Sequence, residues 1–330
     1  MEKVECYSPL RVSFSGGGTD ISPFLETHGT KVINTTIDRG VRVIYTDDNH
    51  PLEISSRDFL KTVILGESHG RSFQEKTLDL FQKYGIKTGK IYITGEVPPG
   101  SGLGSSSAIV TGLMKLIYEL RREKIDPLNL AKESYSEEKN LFGITLGIQD
   151  PYAISIGGFK YMESDGNRTK FKLIENRSFL SRFDGGMIIC YTGGTRESSD
   201  VLRAQVQESA KEDSDTTKNL MELLNLSSQN LEYAQNDDYD GFCRNINTGW
   251  EIKRRLGPNV SSSIVESIIN TAKMSGASAA RLLGGGSQGF VLVLGSKEKL
   301  WNIQRSLMNL SDFVIRVSPT YEGTRVLNGH

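Results

Sequence analysis

The sequence has few cysteines and histidines, and it contains no long run of hydrophobic residues. Its three cysteines, Cys6, Cys190 and Cys243, are far apart, and the four histidines are likewise isolated. This spacing fits neither a disulfide framework nor the common zinc motifs, so we expect a reduced protein without a structural metal. The longest apolar runs, such as 290–294, have the length of a strand and are too short to span a bilayer.

The chain also lacks an excess of charge of either sign. Lys and Arg number 39 and Asp and Glu number 40, which gives a formal net charge of −1. This balance provides no general attraction to nucleic acid or to an anionic membrane, so we expect neither as a partner. Residues 1–5 do not resemble a secretory signal peptide, and we therefore expect a cytoplasmic protein.

Glycine is abundant, with 34 among 330 residues, and its densest motif is at 98–108, Pro-Pro-Gly-Ser-Gly-Leu-Gly-Ser-Ser-Ser-Ala. The motif follows a β-rich run at 90–97 and precedes an amphipathic helical pattern that begins at Ile109. The free N–H groups and the dipole at a helix start favour an anion, most often a phosphate. The motif therefore predicts a phosphate-binding loop, and the alternative is a connector of small residues that binds nothing.

Two common phosphate loops do not fit this stretch. A Walker loop ends in Gly-Lys-Ser/Thr, but the first lysine here is Lys115. The dinucleotide fingerprint needs Gly-x-Gly-x-x-Gly followed by a second strand, whereas Gly100, Gly102 and Gly104 have a different spacing.

Three other glycine-rich loops contain polar residues. A strand-like run at 11–15 places Arg11 on its polar face and ends in Gly16-Gly17-Gly18-Thr19-Asp20, which suits a hydroxylated ligand or forms a flexible turn. A second loop at 192–198 contains Arg196, and a third lies at 284–289. Without a ligand, both are ordinary glycine turns.

Two acidic residues also have two interpretations each. In the amphipathic pattern at 128–142, Glu138 lies within the apolar stripe. A buried carboxylate is costly alone, so Glu138 needs either a cationic partner or a metal ion. Asp150 precedes Pro151 and is either a catalytic residue or the N-cap of a short helix at 151–156.

Together these motifs resemble the GHMP kinases, the superfamily of galactokinase, homoserine kinase, mevalonate kinase and phosphomevalonate kinase. The segments 9–20 and 149–152, with Gly157-Gly158, are most similar to its heptose 7-phosphate kinases, although Pro151 stands where that family usually has Gln. The resemblance implies an α+β kinase of two domains with the active site in the cleft between them. Residues 1–175 would form a ribosomal-protein-S5-like ATP-binding domain, and residues 176–330 a ferredoxin-like C-terminal domain.

The resemblance also implies a role for each motif. Asp150 would take the proton of the attacking hydroxyl with Arg11 beside it, and Mg²⁺ would be held by Ser106 and Glu138. The acceptor sugar would be bound by Gly17, Gly18, Thr19, Asp20 and Arg196. ATP would be bound by Pro99, Gly100, Ser101, Gly102, Leu103, Gly104, Ser105, Ser106 and Ser107.

The implied reaction is the MgATP-dependent phosphorylation of the anomeric hydroxyl of D-glycero-D-manno-heptose 7-phosphate. Its 1,7-bisphosphate product would supply nucleotide-activated heptose for a surface polysaccharide, such as capsule or lipopolysaccharide. Another sugar 1-kinase, for fucose or galactose, is the nearest alternative. Two further alternatives stay open. One is an oxidoreductase that uses a dinucleotide, and the other is a sugar sensor without catalytic activity. A homodimer is one of the assemblies that the sequence allows.

Overall fold

The computed structural model describes residues 3–56, 61–64, 72–98, 100, 102–142, 146–193, 205–211, 214–257 and 259–328. The strands are β1 Lys3–Ser15, β2 Thr30–Pro51, β3 Glu53–Ser56, β4 Lys61–Ile64, β5 Thr88–Gly95, β6 Phe159–Ser164, β7 Thr169–Leu173, β8 Met187–Tyr191, β9 Ala279–Leu282, β10 Phe290–Leu294, β11 Val314–Val317, β12 Pro319–Thr320 and β13 Arg325–Asn328. The helices are α1 Phe24–His28, α2 Phe73–Lys83, α3 Ser105–Leu120, α4 Pro127–Phe142, α5 Gln149–Ile156, α6 Arg177–Ser181, α7 at 205–209, α8 Asp215–Gln235, α9 Tyr239–Arg254, α10 Ser263–Met274 and α11 Leu300–Leu307.

The first sheet contains nine of the described strands and is centred on β1 and β2, in the order β13-β1-β2-β5-β3-β4. The long β2 also pairs with β6 and β12, and β6 pairs in turn with β7. Helix α3 packs on β1 and β2 with an almost continuous buried face. As a result, the start of α3, the end of β1 and the start of α5 lie in one region of the fold.

The second sheet has the order β11-β8-β10-β9, and all of its pairs are antiparallel. Strands β9 and β10 are wholly buried, and helices α9, α10 and α11 pack against the sheet. This sheet positions β9 and the loop that follows it, 284–289, beside the first sheet.

Five phenylalanines fill the core between the first sheet and the helices beside it. The ring of Phe14 in β1 stacks on that of Phe159 in β6 with centroids 4.8 Å apart. Phe179, Phe183 and Phe242 surround this pair, at centroid distances from 5.0 to 6.3 Å. Such edge-to-face packing holds β1 in a fixed position relative to α6 and α9.

The strand-like runs of residues 31–37 and 41–46 belong to one continuous strand, β2. Gly40 permits this continuity, because a Cβ there would overlap the ring of Tyr7 on β1. The last strands, β12 and β13, were not expected, and they pair with β2 and β1 of the first sheet.

The division of the chain at residue 175 stays a prediction. No helix in the described segments has both the length and the apolar character that crossing a membrane requires.

Candidate active site

A cavity of about 390 Å³ opens where the first sheet, α3, α5 and the loop 284–289 meet. It receives residues from three of the four glycine-rich loops noted in the sequence. Its walls include Arg11, Gly17, Gly18, Asp20, Gly100, Gly102, Gly104, Ser105, Ser106, Gly147, Gln149, Asp150, Gln205, Lys253, Arg281, Gly284 and Gly285.

Arg11 and Asp150 form a bidentate ion pair in the cavity wall. Nε and Nη2 of Arg11 donate to the two carboxylate oxygens of Asp150 at 2.6 and 2.7 Å. Arg11 comes from β1 and is 5% exposed, and Asp150 lies in the first turn of α5. The N-cap of α5 is Ile148, so the interpretation of Asp150 as an N-cap is wrong. Its carboxylate is engaged by Arg11, and the helix begins two residues earlier than expected.

The predicted phosphate loop leads into the N-terminus of α3, and Gly104 is the N-cap with φ +75°. Ser105 and Ser106 in the first turn line the cavity, whereas Leu103 is buried. The loop is tied to Arg11, because the carbonyl of Leu103 accepts from the Arg11 backbone N–H and that of Gly102 from its Nη1. The predicted ATP contacts Pro99 and Ser101 lie outside the described residues.

Gly102 also contacts the third glycine loop. A Cβ at Gly102 would lie 2.8 Å from the carbonyl oxygen of Leu283, and one at Gly284 would lie 2.6 Å from Gly102 Cα. Both residues have positive φ, so the close approach of the two backbones depends on glycine at each position.

The glycine loop 16–20, which we call the acceptor loop after its predicted role, places Gly17, Gly18 and Asp20 in the cavity wall. Asp20 Oδ1 accepts from the N–H of Gly18, and its Oδ2 accepts from that of Gln149, both at 3.1 Å. Burial raises the pKa of Asp20, and the nearby charge of Asp150 raises it further. Thr19 does not line the cavity, since its buried hydroxyl donates to the carbonyl of Gly16.

Glu138 is fully buried behind the phosphate loop. Ser107 Oγ donates to its Oε2 at 2.7 Å, while Oε1 has no hydrogen-bond partner in the described part of the chain. Burial raises the pKa of Glu138 to about 7, although the hydroxyls of Ser107 and Ser106 act to lower it. Within the described segments Glu138 forms no ion pair, so the alternative of a structural ion pair lacks its cation.

These oxygen atoms fit a magnesium ion. Mg²⁺ prefers carboxylate and hydroxyl oxygens and completes its shell with water and substrate phosphates. An orphaned carboxylate oxygen of Glu138 beside Ser106 and Ser107 offers such ligands next to the phosphate loop. The described residues contain no group of three or more His, Cys, Asp or Glu side chains that could hold a metal ion, so phosphate and water would supply the remaining ligands.

Among the side chains in the cavity wall that sequence reasoning missed are Gln205, Lys253 and Arg281. Gln205 Nε2 donates to the carbonyl of Gly18 at 2.9 Å and so fixes the acceptor loop. For Lys253 a signal was present, because it continues the buried helical stripe of Ile246 and Trp250 as a charged residue. Arg196, the predicted sugar contact, lies outside the described residues.

Comparison with known proteins agrees with this arrangement. Residues 72–158 match the model of the GHMP kinases N-terminal domain. The chain is 26% identical to D-glycero-α-D-manno-heptose 7-phosphate kinase of Campylobacter jejuni over 98% of this chain and 99% of that protein.

Two crystal structures share its fold. One is a D-glycero-D-manno-heptose 1-phosphate kinase from Bacteroides thetaiotaomicron, with a TM-score of 0.79, 22% identity and 99% of both chains covered. The other is Lactococcus lactis galactokinase complexed with galactose, with a TM-score of 0.78, 16% identity and 98% of this chain and 95% of that chain covered. These likenesses confirm the expected two-domain α+β fold, and residues 72–158 match the N-terminal domain of the GHMP kinases, a superfamily of ATP-dependent phosphotransferases.

Proposed function

We propose that the chain transfers the γ-phosphoryl group of ATP to the anomeric hydroxyl of D-glycero-D-manno-heptose 7-phosphate. The observation that carries this proposal is the Arg11–Asp150 pair, which lies between the phosphate loop and the acceptor loop in one cavity. The choice of sugar is supported by the similarity over nearly the whole chain to the heptose 7-phosphate kinase of C. jejuni.

Phosphoryl transfer requires a positioned acceptor, a proton acceptor and neutralisation of the charge on the transferring group. Asp150 takes the proton of the anomeric hydroxyl while the oxygen of that hydroxyl forms a bond to the γ-phosphorus. The bond from this phosphorus to the bridging oxygen breaks at the same centre, and ADP leaves. Arg11 fixes the carboxylate of Asp150 through two hydrogen bonds and places positive charge near the transferring group.

Gly100 to Ser107 hold the nucleotide phosphates through backbone N–H groups and hydroxyls at the start of α3. Ser106 and Glu138 would hold Mg²⁺, which supplies charge neutralisation for the β- and γ-phosphates when it is bound. Leu103 supports this loop through its carbonyl rather than through a side chain in the cavity.

Gly17, Gly18 and Asp20 bind the sugar hydroxyls, and Thr19 keeps their loop in shape from the buried side. Because two of these residues are glycines, the loop leaves room for a large acceptor and offers N–H donors. Arg196 stays a predicted contact to the sugar phosphate. The bisphosphate product would serve an enzyme that makes nucleotide-activated heptose for a surface polysaccharide.

A coupled assay with MgATP and a panel of acceptors tests this function. The panel contains heptose 7-phosphate, unphosphorylated heptose, mannose, galactose and fucose, with each product identified by mass spectrometry and phosphorus NMR. We expect the highest kcat/KM with heptose 7-phosphate and a new phosphate at the anomeric position. A higher kcat/KM with galactose or fucose would assign the chain to another sugar 1-kinase.

A further inference from the structure

Among the described residues, two cations in the cavity wall form no ion pair with a carboxylate. Lys253 on α9 and Arg281 on β9 are 5% and 2% exposed, and both line the cavity. Lys253 Nζ donates to the carbonyl of Gly284, and Arg281 Nη1 donates to that of Phe14 at 2.6 Å. Nε of Arg281 is buried without a hydrogen-bond partner, and in the described part of the chain neither side chain forms an ion pair with a carboxylate.

This placement is unfavourable in the free protein. A buried charge without a counter-ion costs several kcal/mol, and like charges nearby increase the cost. Burial lowers the pKa of Lys253 to about 7, and the positive charges of Arg281 and Arg11 act in the same direction. Burial also lowers the pKa of Arg281 to about 10, again with a contribution from Arg11.

The acids in the same cavity are already engaged. Asp150 is bound by Arg11 through both oxygens, and Asp20 accepts from two backbone N–H groups. The unused N–H groups of Lys253 and Arg281 therefore call for an anion that arrives with a ligand. A phosphate group has the charge and the several acceptor oxygens that such a pair can bind.

We propose that Lys253 and Arg281 form the binding site for the phosphate group that the acceptor sugar carries. This inference rests on the proposed function, because it assumes that the acceptor is phosphorylated. The proposed site consists of described residues and does not depend on the predicted contact at Arg196.

The surroundings of the pair favour the acceptor over the nucleotide. Arg281 donates a hydrogen bond to the carbonyl of Phe14, which lies next to the end of β1, where the acceptor loop begins. The charge of Asp20, in that loop, acts on Lys253. The phosphate loop, which would bind the nucleotide, has N–H donors of its own at the start of α3. The alternative source of the same chemistry is the γ-phosphate of ATP, because Gly284 also contacts Gly102.

Steady-state kinetics of Lys253→Met and Arg281→Gln distinguish the two sources. We expect KM for heptose 7-phosphate to rise about tenfold to a hundredfold in each variant, because each loses a charged hydrogen bond to phosphate. KM for ATP and kcat/KM for unphosphorylated heptose should stay within about twofold of the wild type. Arg281→Lys, which keeps the charge, should recover part of the loss, and the exposed Lys273→Met serves as the matched control.

Two kinetic outcomes contradict the proposal. A loss of kcat and of ATP affinity that is equal for phosphorylated and unphosphorylated sugar would assign the pair to the nucleotide phosphate. Unchanged kinetics in both variants would make the pair structural.

Titration calorimetry with inorganic phosphate, without nucleotide or sugar, tests the anion site independently of the reaction. We expect the wild type and Lys273→Met to bind phosphate, and Lys253→Met to bind it about tenfold or more weakly. Equal binding by Lys253→Met and the wild type would overturn the site even if heptose 7-phosphate is phosphorylated. If Lys253→Met binds phosphate more weakly as expected but the wild type does not phosphorylate heptose 7-phosphate, the phosphate site stands and the proposed sugar is rejected. The acceptor would then be another phosphorylated compound.

Both variants remove a buried side chain, so their folding must be measured. Because Met removes an unpaired charge from the interior, Lys253→Met should unfold at a temperature no lower than that of the wild type without ligand. A kinetic effect that is accompanied by unfolding at the assay temperature would count against a role in binding. The kinetics of Arg281→Lys then distinguish a binding role from a structural one, because only a phosphate site predicts recovery of KM for the sugar phosphate.

Discussion

The guanidinium of Arg11 binds both carboxylate oxygens of Asp150, at 2.6 and 2.7 Å, across 139 residues of sequence. The same guanidinium donates from Nη1 to the carbonyl of Gly102 in the phosphate loop. Arg11 thus joins the first strand, the predicted phosphate loop and the start of α5 in one hydrogen-bonded unit. A change at either residue of the pair should therefore affect turnover more than it affects the binding of either substrate.

We expect Asp150→Asn to reduce kcat by a factor of about 10² or more, because an amide cannot accept the proton of the attacking hydroxyl. Asn has nearly the same size but keeps only one acceptor for the buried Arg11 and leaves its charge without a counter-ion, so the unfolding temperature should fall as well. Steady-state kinetics and thermal unfolding check the two effects. A variant with normal turnover and lower stability would show that Asp150 is a structural partner of Arg11.

Glu138→Gln tests the magnesium assignment. The amide cannot supply the anionic ligand that Mg²⁺ prefers, so MgATP should bind more weakly while metal-free ATP binds as before. Calorimetric titrations with and without Mg²⁺ separate the two affinities. The matched control is Glu137→Gln on the same helix, which removes the ion pair with Lys83 at the protein surface. Unchanged MgATP affinity and activity in Glu138→Gln would refute the assignment.

The sequence predicts those parts of the site that depend on local pattern. Glu138 interrupts an apolar stripe, and it is completely buried in the structure. Because a buried carboxylate without a partner is costly, this position predicts a partner or a ligand. A run of small residues before a helical pattern predicts the start of α3, which lies at the cavity in the structure. The same reasoning could have identified Lys253, which interrupts the stripe of Ile246 and Trp250.

Other features depend on contacts between distant segments and leave little trace in the sequence. Arg281 lies in the short, otherwise apolar β9, and its hydrogen bond to Phe14 spans 267 residues. The strands β12 and β13 are short and return to the first sheet after the second sheet is complete. Their pairing is determined by the exposed edge of β1 and by β2 rather than by their own residues.

Lys160 on β6 should give the stability of the protein a dependence on pH. Burial lowers the pKa of Lys160 to about 7, and Nζ donates to the carbonyls of Gly157 and Gly158 that follow α5. The unfolded chain, where the pKa is the ordinary one, then binds more protons than the folded chain from about pH 7 to about 10.5. The free energy of unfolding therefore rises with pH in this window, by up to about 1.4 kcal/mol per pH unit from this group.

Comparison with Lys160→Met isolates this contribution, since the other titrating groups are common to both proteins. The free energy of unfolding of the wild type minus that of Lys160→Met should increase between about pH 7.5 and about pH 9.5. Chemical denaturation at several pH values measures it. The exposed Lys170→Met on β7 should give a difference that does not change with pH. A flat difference for Lys160→Met would mean that Lys160 is protonated in the folded protein throughout this range.

Gly147 tests how closely the segment before α5 must approach the acceptor loop. A Cβ at this position would overlap Oδ2 of Asp20, which accepts from the N–H of Gln149. Gly147→Ala should therefore displace Asp20 from its two N–H donors and raise KM for the sugar by about tenfold, the effect of roughly one lost hydrogen bond to a charged group. KM for ATP should change by less than about twofold, because the phosphate loop is not touched.

Gly249→Ala on α9 is the matched control for this substitution. There the nearest atoms would lie 3.6 and 3.7 Å from the new Cβ, which is ordinary van der Waals contact. This variant should keep the KM of the wild type for both substrates, and it should be slightly more stable because alanine favours a helix. If Gly147→Ala also keeps the KM for the sugar, Asp20 does not contact the acceptor, and the sugar-binding role of its loop falls with it.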